Sequence, residues 1–458
     1  MVTLQSADKA LKTLYLDVVA EQLNTEINPF LARIKQTTSD VWGKEVRKVA
    51  QYGINGGVGA GTEDGDLPSS AGNNYEQLVS TLKNLYGTIE ISDKAMRASS
   101  SDAGAFVNLL NAEMEGLLKA SKFNFGRMLY GDGSGLLATT VANTTGEKNK
   151  IKVDKIKGLI EGMTIDVYNA SGVKDTAVSG ARIVSIDRVN KIVTLSQPAS
   201  TTLGAGYTVY VQGSKGNEIT GLEAIFGDSE YIYGLKRSDY SFLKPYTKTI
   251  AKTVSVGAIQ DAIDAVEETS GGTIDFIVAS YKMRKQYVDA LCNNRTNIDY
   301  LTLDGGYKAL SYSGIPFVAD RFVGDNDMYL LNSNDFKLHQ LCDWRWLEGE
   351  GGTVLHQVAG KACYSATLVK YADLLCERPM GQAKLTFTGS DTDYYYVTFD
   401  SNGGTAVPTQ MVAAGGKAVV PASPSKTGKS FDCWNLNGAE YNFSTIVNSD
   451  ITLVAAWI

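Results

Sequence analysis

The chain is 458 residues long, more than one hydrophobic core comfortably serves, so two to four separately packed units are expected. Apolar residues make up 43% and charged residues 20%, which excludes a disordered or low-complexity protein. A formal charge of −7, with acids and bases interspersed, gives no basic field that could hold nucleic acid by neutralising phosphates, so nucleic-acid binding is not the main task.

In chain order, residues 5 to 24 place Leu11, Leu14, Tyr15, Val18, Val19 and Leu23 at helical intervals, an amphipathic arm that Asn28 and Pro29 should end. A β-like stretch over 42–52 leads into residues 53–72, which hold seven glycines and the acidic turn Glu63-Asp64-Gly65-Asp66. A second extended stretch returns through 87–92. The spacing predicts a long two-stranded finger with a flexible tip. Because an isolated ribbon is marginal in water, the finger should lie on something else, a neighbouring subunit being the natural candidate.

Between Asp102 and Tyr130, the residues Phe106, Leu110, Met114, Leu117, Ser121, Phe125 and Met128 recur at three- and four-residue steps with no proline. They predict one helix roughly 40 Å long, capped by Ser101 or Asp102 and leaving through a left-handed Gly131. From about 148 to 213 the period changes to two, with short strands at 164–168, 182–186, 191–195 and 207–211, a small β-rich insertion. Helix and strand then alternate: a helix over 256–268, a strand over 274–279, a helix over 281–292, and strands at 315–319 and 328–331. An extended segment over 362–377 precedes a polar linker at 389–393 and a β-rich tail.

The chemistry-bearing residues do not assemble into a catalytic pattern. A hydrolase triad needs a base, and the two histidines, His339 and His356, stand in no nucleophile-elbow context, so each reads as packed or solvated. Gly428-Lys429-Ser430 resembles the end of a phosphate loop, but Ser423 occupies the first glycine position and Pro424 follows it; a turn lysine is the better reading. Gly57-Val58-Gly59-Ala60-Gly61 has neither the spacing nor the βα context of a dinucleotide loop. The acidic groups Glu63-Asp64-Asp66 and Asp325-Asp327 follow no calcium-loop spacing and read as solvated loops. Trp344-Arg345-Trp346, beside Leu341 and Leu347, reads as core or subunit interface rather than a stacking platform. Cys292, Cys342, Cys363, Cys376 and Cys433 are odd in number and never spaced C-x-x-C, which fits reduced buried thiols rather than a disulfide frame or zinc site. No catalytic, cofactor-binding or metal-binding residue is therefore assigned, and no cofactor is expected. Asp8, Lys9, Lys12, Asp17 and Glu21 interrupt every apolar run near the start, and no stretch reaches membrane-spanning length; a chain made and kept in the cytoplasm, away from membranes, is expected.

The order of parts, with Asn28-Pro29-Phe30-Leu31, the helix exit Tyr130-Gly131-Asp132-Gly133, Gly314-Ile315-Pro316-Phe317-Val318 and Met328-Tyr329-Leu330-Leu331-Asn332, resembles the tailed-phage major capsid family, the HK-ninety-seven-type fold. The likeness covers about residues 1–385 and implies an α+β fold with an N-terminal arm (1–41), an E-loop hairpin (42–92), a spine helix with part of the P-domain (93–145), an insertion domain (146–215), and the A-domain with the rest of the P-domain (216–388). After the linker (389–393), residues 394–458 carry Val397-Thr398-Phe399-Asp400-Ser401-Asn402-Gly403-Gly404-Thr405, then Pro421, Pro424, Lys426, Gly428, Phe431, Trp434, Tyr441, Phe443 and Trp457. These are similar to the internalin-type, Listeria–Bacteroides B-repeat, a small β-grasp-like module; Lys429-Ser430 stand where that repeat usually has Gly-Tyr.

The resemblance implies a non-enzymatic major capsid protein that assembles with itself through pentamers and hexamers into an icosahedral virion shell around double-stranded DNA, held by non-specific contact. It further implies a separate scaffolding protein, a portal, assembly in the host cytoplasm, and an outward-facing insertion and tail, the tail either binding a host-surface ligand or reinforcing neighbouring subunits. Two other readings stand beside it. A cellular nanocompartment shell shares the fold; a bacterial surface adhesin is suggested by the tail alone and expects a signal peptide and wall anchor that the sequence does not display.

Overall fold

The computed structural model describes residues 28–41, 43–94, 103–142, 146–293, 300–302, 308–349, 354–389, 394–413 and 415–458. The arm read over 5–24, the capping pair Ser101 and Asp102, and linker positions 390–393 lie outside the described residues, as do the side chains of Phe106, Leu110 and Cys292. The chain divides into a body that runs to Ile250 and again over Val254–Phe387, and a second unit made of Ala251–Thr253 and the C-terminal module Thr388–Ile458.

Asn28 and Pro29 begin a helix where the sequence reading had them end one. The Asn28 side-chain oxygen accepts from the backbone N–H groups of Phe30 and Leu31 at 3.0 Å, and Pro29 occupies the first turn of the helix Pro29–Arg33, where its missing N–H costs nothing. The helix seats Phe30, fully buried, against the rings of Tyr130 and Phe336.

The spine helix runs over Ala103–Met128. Its inward stripe of Met114, Leu118, Phe125 and Met128 is buried, and the turn beyond it is left-handed at Gly133 rather than at Gly131. The helix crosses the strand Lys83–Ser92 at Gly87, where a Cβ would stand 2.8 Å from Leu117 Cδ1, so a side chain there would make the Leu117 side chain shift. That strand belongs to a five-stranded sheet. Cys363–Cys376 is its centre, antiparallel to Lys83–Ser92 on one side and to Phe336–Trp346 on the other, with Lys35–Thr37 added in parallel outside and His356–Gln357 beside the start of the central strand.

The residues 87–92 therefore do not form the return arm of the finger. Glu45–Tyr52 pairs along its whole length with Asn74–Thr81, and the chain then turns at Leu82 to give its next ten residues to the five-stranded sheet. Alternating Leu85, Ile89 and Ile91 fit that half-buried position, with outward Tyr86, Thr88 and Glu90 between them.

Thr164–Tyr168, Ala181–Asp187, Ile192–Leu195 and Thr208–Val211 pair with Leu136–Thr139 and Lys150–Lys152 in a six-stranded sheet. Its two edge strands meet: Thr140 bridges Val153, Val141 N–H donates to Lys152 O, and Asp154 N–H donates to Thr139 O. The sheet thus closes into a small barrel filled by Leu137, Ile151, Val153, Ile165, Val167, Ile183, Val193 and Val209. A second, seven-stranded mixed sheet splits its side chains by strand alternation. Ile277, Ala279, Met328 and Leu330 face the helices Val256–Ser270 and Tyr281–Asn293, while Phe276, Val278, Tyr329 and Leu331 face the main core. Ser255 caps the first of these helices and a left-handed Gly271 ends it.

The C-terminal module is a five-stranded sheet in the order 410–413, 394–400, 451–457, 431–436, 439–440, with the first long pair parallel at Val397–Ile451. Val397, Phe399, Trp434, Leu453 and Ala455 make its core, Trp434 meeting Phe399 edge-on at 4.9 Å. No helix among the described residues is long and apolar enough to cross a membrane.

Candidate assembly surfaces

The two-stranded ribbon has a root and a tip with opposite environments. At the root the even-numbered side chains turn inward: Val46 and Leu78 are buried, and Tyr52 stacks on Phe242 at 5.2 Å and meets Tyr240 edge-on at 5.7 Å. Polar bonds add direction to this packing. Ser80 Oγ donates to Asp373 at 2.5 Å, Val79 N–H to Tyr233 O at 2.9 Å, Tyr240 OH to Glu76 at 2.8 Å, and Lys48 pairs with Glu377 at 3.2 Å. The root lies on the body of its own chain, so the expectation that the whole finger needs a neighbour is corrected: alternation in both strands supplies a buried face within the chain.

Beyond Tyr52 and before Asn74 nothing is buried. Ile54, Val58 and Leu67 are 87%, 89% and 90% exposed, three large aliphatic side chains held in water beside Glu63, Asp64 and Asp66. Single exposed apolar residues need no explanation, but three at almost full exposure on one glycine-rich tip have no partner among the described residues.

Charged groups that do lie inside the body are tied to structural tasks. Arg127 and Glu218 form a bidentate pair at 2.5 and 2.9 Å where the spine helix ends below the barrel. Lys157 of the barrel donates to Val323 O at 2.8 Å and pairs with Asp325. Lys370, 2% exposed, donates to Gln340 and Asp343 at 2.6 Å and lies 5.2 Å from the centre of the Phe125 ring; burial lowers its pKa, the Asp343 charge opposing. Burial raises the carboxyl of Asp373, while bonds from Ser80 and Thr220 act the other way. These pairings were invisible to sequence reasoning, since none of the partners is close in the chain.

The residues singled out by sequence are scattered. His339 is 1% exposed inside the five-stranded sheet, whereas His356 bonds Leu347 O at 3.2 Å near the surface. Gly428 and Lys429 form a turn in the C-terminal module, bridged by Lys426 and Lys429. Glu63, Asp64 and Asp66 are at the exposed tip, Asp325 pairs with Lys157, and Asp327 accepts from Thr386 at 2.7 Å. Trp344 and Trp346 are buried in the main core with Arg345 outward between them. Cys363 and Cys376 are buried thiols, while Cys342 and Cys433 are partly exposed. Among the described residues, no three His, Cys, Asp or Glu side chains converge as a metal site.

Comparison with known proteins bears on both units. Residues 395–456 match the family model Flg_new, the Listeria-Bacteroides repeat domain. The chain is similar to the cyanophage A-1(L) capsid asymmetric unit at 12% identity and TM-score 0.50, over 79% of this chain and 93% of that one. It is also similar to the capsid of Myoviridae phage XM1 (10% identity, TM-score 0.42, 79% and 92% covered). The encapsulin complex from Synechococcus elongatus is a third such structure (11%, TM-score 0.40, 81% and 94% covered). No curated protein matches the chain. The body of this α+β chain therefore has the tailed-phage capsid fold, and residues 395–456 are a Listeria-Bacteroides repeat domain.

Proposed function

We propose that this chain is a major capsid protein, a structural subunit rather than an enzyme, which assembles with itself through pentamers and hexamers into the icosahedral shell of a virion. Closed symmetric assemblies repeat one pairing of surfaces many times, so modest contacts suffice for a stable container. The observation that carries this reading is the ribbon: a root secured to its own body and a tip that holds Ile54, Val58 and Leu67 almost fully in water. A second copy of the chain is the natural surface for that tip. In this reading residues 1–41 are the arm, the hairpin within 42–81 the E-loop, 83–145 and 216–388 the P- and A-domains, and 146–215 and 394–458 outward decorations, the last with a host-surface ligand. A separate scaffold and a portal take part, double-stranded DNA is enclosed by non-specific contact, and the shell is built in the host cytoplasm.

The test is expression of the full chain with and without a co-expressed scaffold, followed by sizing and negative-stain electron microscopy. Uniform closed shells are expected, and replacing Ile54, Val58 and Leu67 together by serine should abolish them while leaving the circular dichroism spectrum unchanged. A compact monomer under every condition would overturn the proposal. Shells that hold an enzyme and no nucleic acid would mark a nanocompartment instead, and turnover abolished by His339→Ala would revive an enzymatic reading.

A further inference from the structure

Near the root of the ribbon lies a buried histidine with no hydrogen-bond partner among the described residues. His339 is 1% exposed, and neither ring nitrogen meets a donor or acceptor there. It lies on the strand Phe336–Trp346, beside Thr37 of the edge strand and directly opposite Asp373 of the central strand. Residues opposed in an antiparallel pair project to the same face, with Cβ atoms roughly 5 Å apart. In that register the imidazole and the carboxylate share one face of the sheet, and the carboxylate is already engaged. Ser80 Oγ, from the ribbon, donates to one oxygen at 2.5 Å, and the backbone N–H and hydroxyl of Thr220 donate at 2.6 and 3.2 Å.

The charged groups facing the imidazole come from every element around it. Asp40 follows the edge strand, Lys337 is on its own strand, Glu377 follows the central strand, and Lys48 belongs to the ribbon. Asp40 and Glu377 favour a proton on the ring, and the two lysines oppose one. Glu377 is itself held by Lys337 at 2.8 Å and Lys48 at 3.2 Å, and Asp40 is exposed to solvent, so the buried carboxylate opposite the imidazole is that of Asp373.

We propose that His339 and Asp373 form an acid-operated latch under the ribbon: a proton taken from solvent turns the imidazole into a cation that claims the Asp373 carboxylate, and Ser80 is released. No covalent bond between heavy atoms changes; one O–H donor to the carboxylate is exchanged for a charged N–H donor. A neutral imidazole has little to gain from this exchange, whereas a charged donor makes a bond roughly twice as strong. Burial, which holds the His339 pKa below its ordinary value, sets the exchange on the acid side of neutrality. Val46, Leu78 and Phe242 carry no ionisable group, so the loosening is confined to the end of the ribbon near Ser80. A device of this kind would let acid reposition the ribbon without unfolding the body.

The latch is internal to one chain, so failure of the shell proposal leaves it standing and the reverse also holds. Its test is hydrogen exchange of the full-length chain at pH 7.5 and 5.5, corrected for intrinsic rates and read on peptides covering 74–81. Protection is expected to fall about tenfold or more in acid, the loss of one hydrogen bond to a charged group. His339→Gln should abolish the fall. Ser80→Ala should show lowered protection already at pH 7.5 with no further loss in acid, and serves if the histidine variant does not fold. An acid-independent native profile would overturn the proposal, as would an undiminished acid loss in either variant, which would assign the response to Asp373 alone.

Discussion

The root and the tip of the ribbon belong to the same hairpin, yet one is built as core and the other as surface. The root alternates inward Val46, Leu78 and Ser80 with outward Arg47, Gln77 and Val49, and its inward face is closed by aromatic packing and hydrogen bonds to three other segments. At the tip the alternation stops, glycines accumulate, and the apolar side chains that remain bury nothing. A ribbon needs a covered face to persist in water, and the root shows how little is needed when two strands share one sheet. Among the described residues nothing covers the tip, which is why the proposed shell gives it a second copy of the chain as partner.

That contrast can be broken or sharpened by experiment. The largest effect is expected from Leu78→Ala, which empties a fully buried site at the root and should cost about 2–5 kcal/mol in denaturant unfolding. A loss below the range expected for surface sites would mean that the root is not packed as described. Ser80→Ala comes next: it leaves the buried Asp373 carboxylate with Thr220 alone and should cost about 1–3 kcal/mol, read as a lowered thermal midpoint at pH 7.5.

The third effect is on pH dependence. Burial depresses the His339 pKa in the fold, so the unfolded chain, with an ordinary value near 6.5, takes up a proton that the folded chain resists. Stability should therefore be full above about pH 6.5 and decline as pH falls toward the depressed folded value, by at most about 1.4 kcal/mol per pH unit for this one group. Thermal midpoints of His339→Gln should lack that share of the decline. The smallest effect is expected at the tip, where Leu67→Ala should change the stability of the unassembled chain by no more than about 0.5 kcal/mol. If the same change lowers the yield of shells, the tip works between copies.

Legibility followed distance along the chain. The spine helix, predicted over 102–130 and found over Ala103–Met128, and four barrel strands near 164–168, 182–186, 191–195 and 207–211, rest on local periodicity that a single sequence displays. The return strand Asn74–Thr81 is hard to read because Tyr75, Leu78 and Val79 do not alternate, and 87–92, with Ile89 and Ile91 in alternation, attracts the pairing that belongs to it. Pro29 reads as a stop in the sequence and is a start in the fold, since the same fixed backbone angle serves both and only the seating of Phe30 decides. The Trp344-Arg345-Trp346 run left core and interface open, and the packing of both tryptophans into the main core places it.

By itself the sequence determined the helices, the strand-rich middle, the resemblance of the body to a capsid fold and the B-repeat identity of the tail, because each of these is written in neighbouring residues. Only the tertiary structure decided which strands pair, that six short strands close into a barrel, that the ribbon is half core and half surface, and that His339 is stranded opposite an occupied carboxylate. Those outcomes depend on burial and hydrogen-bond partners separated by tens to hundreds of residues, such as Ser80 and Asp373, and no local pattern encodes a competition for one buried carboxylate.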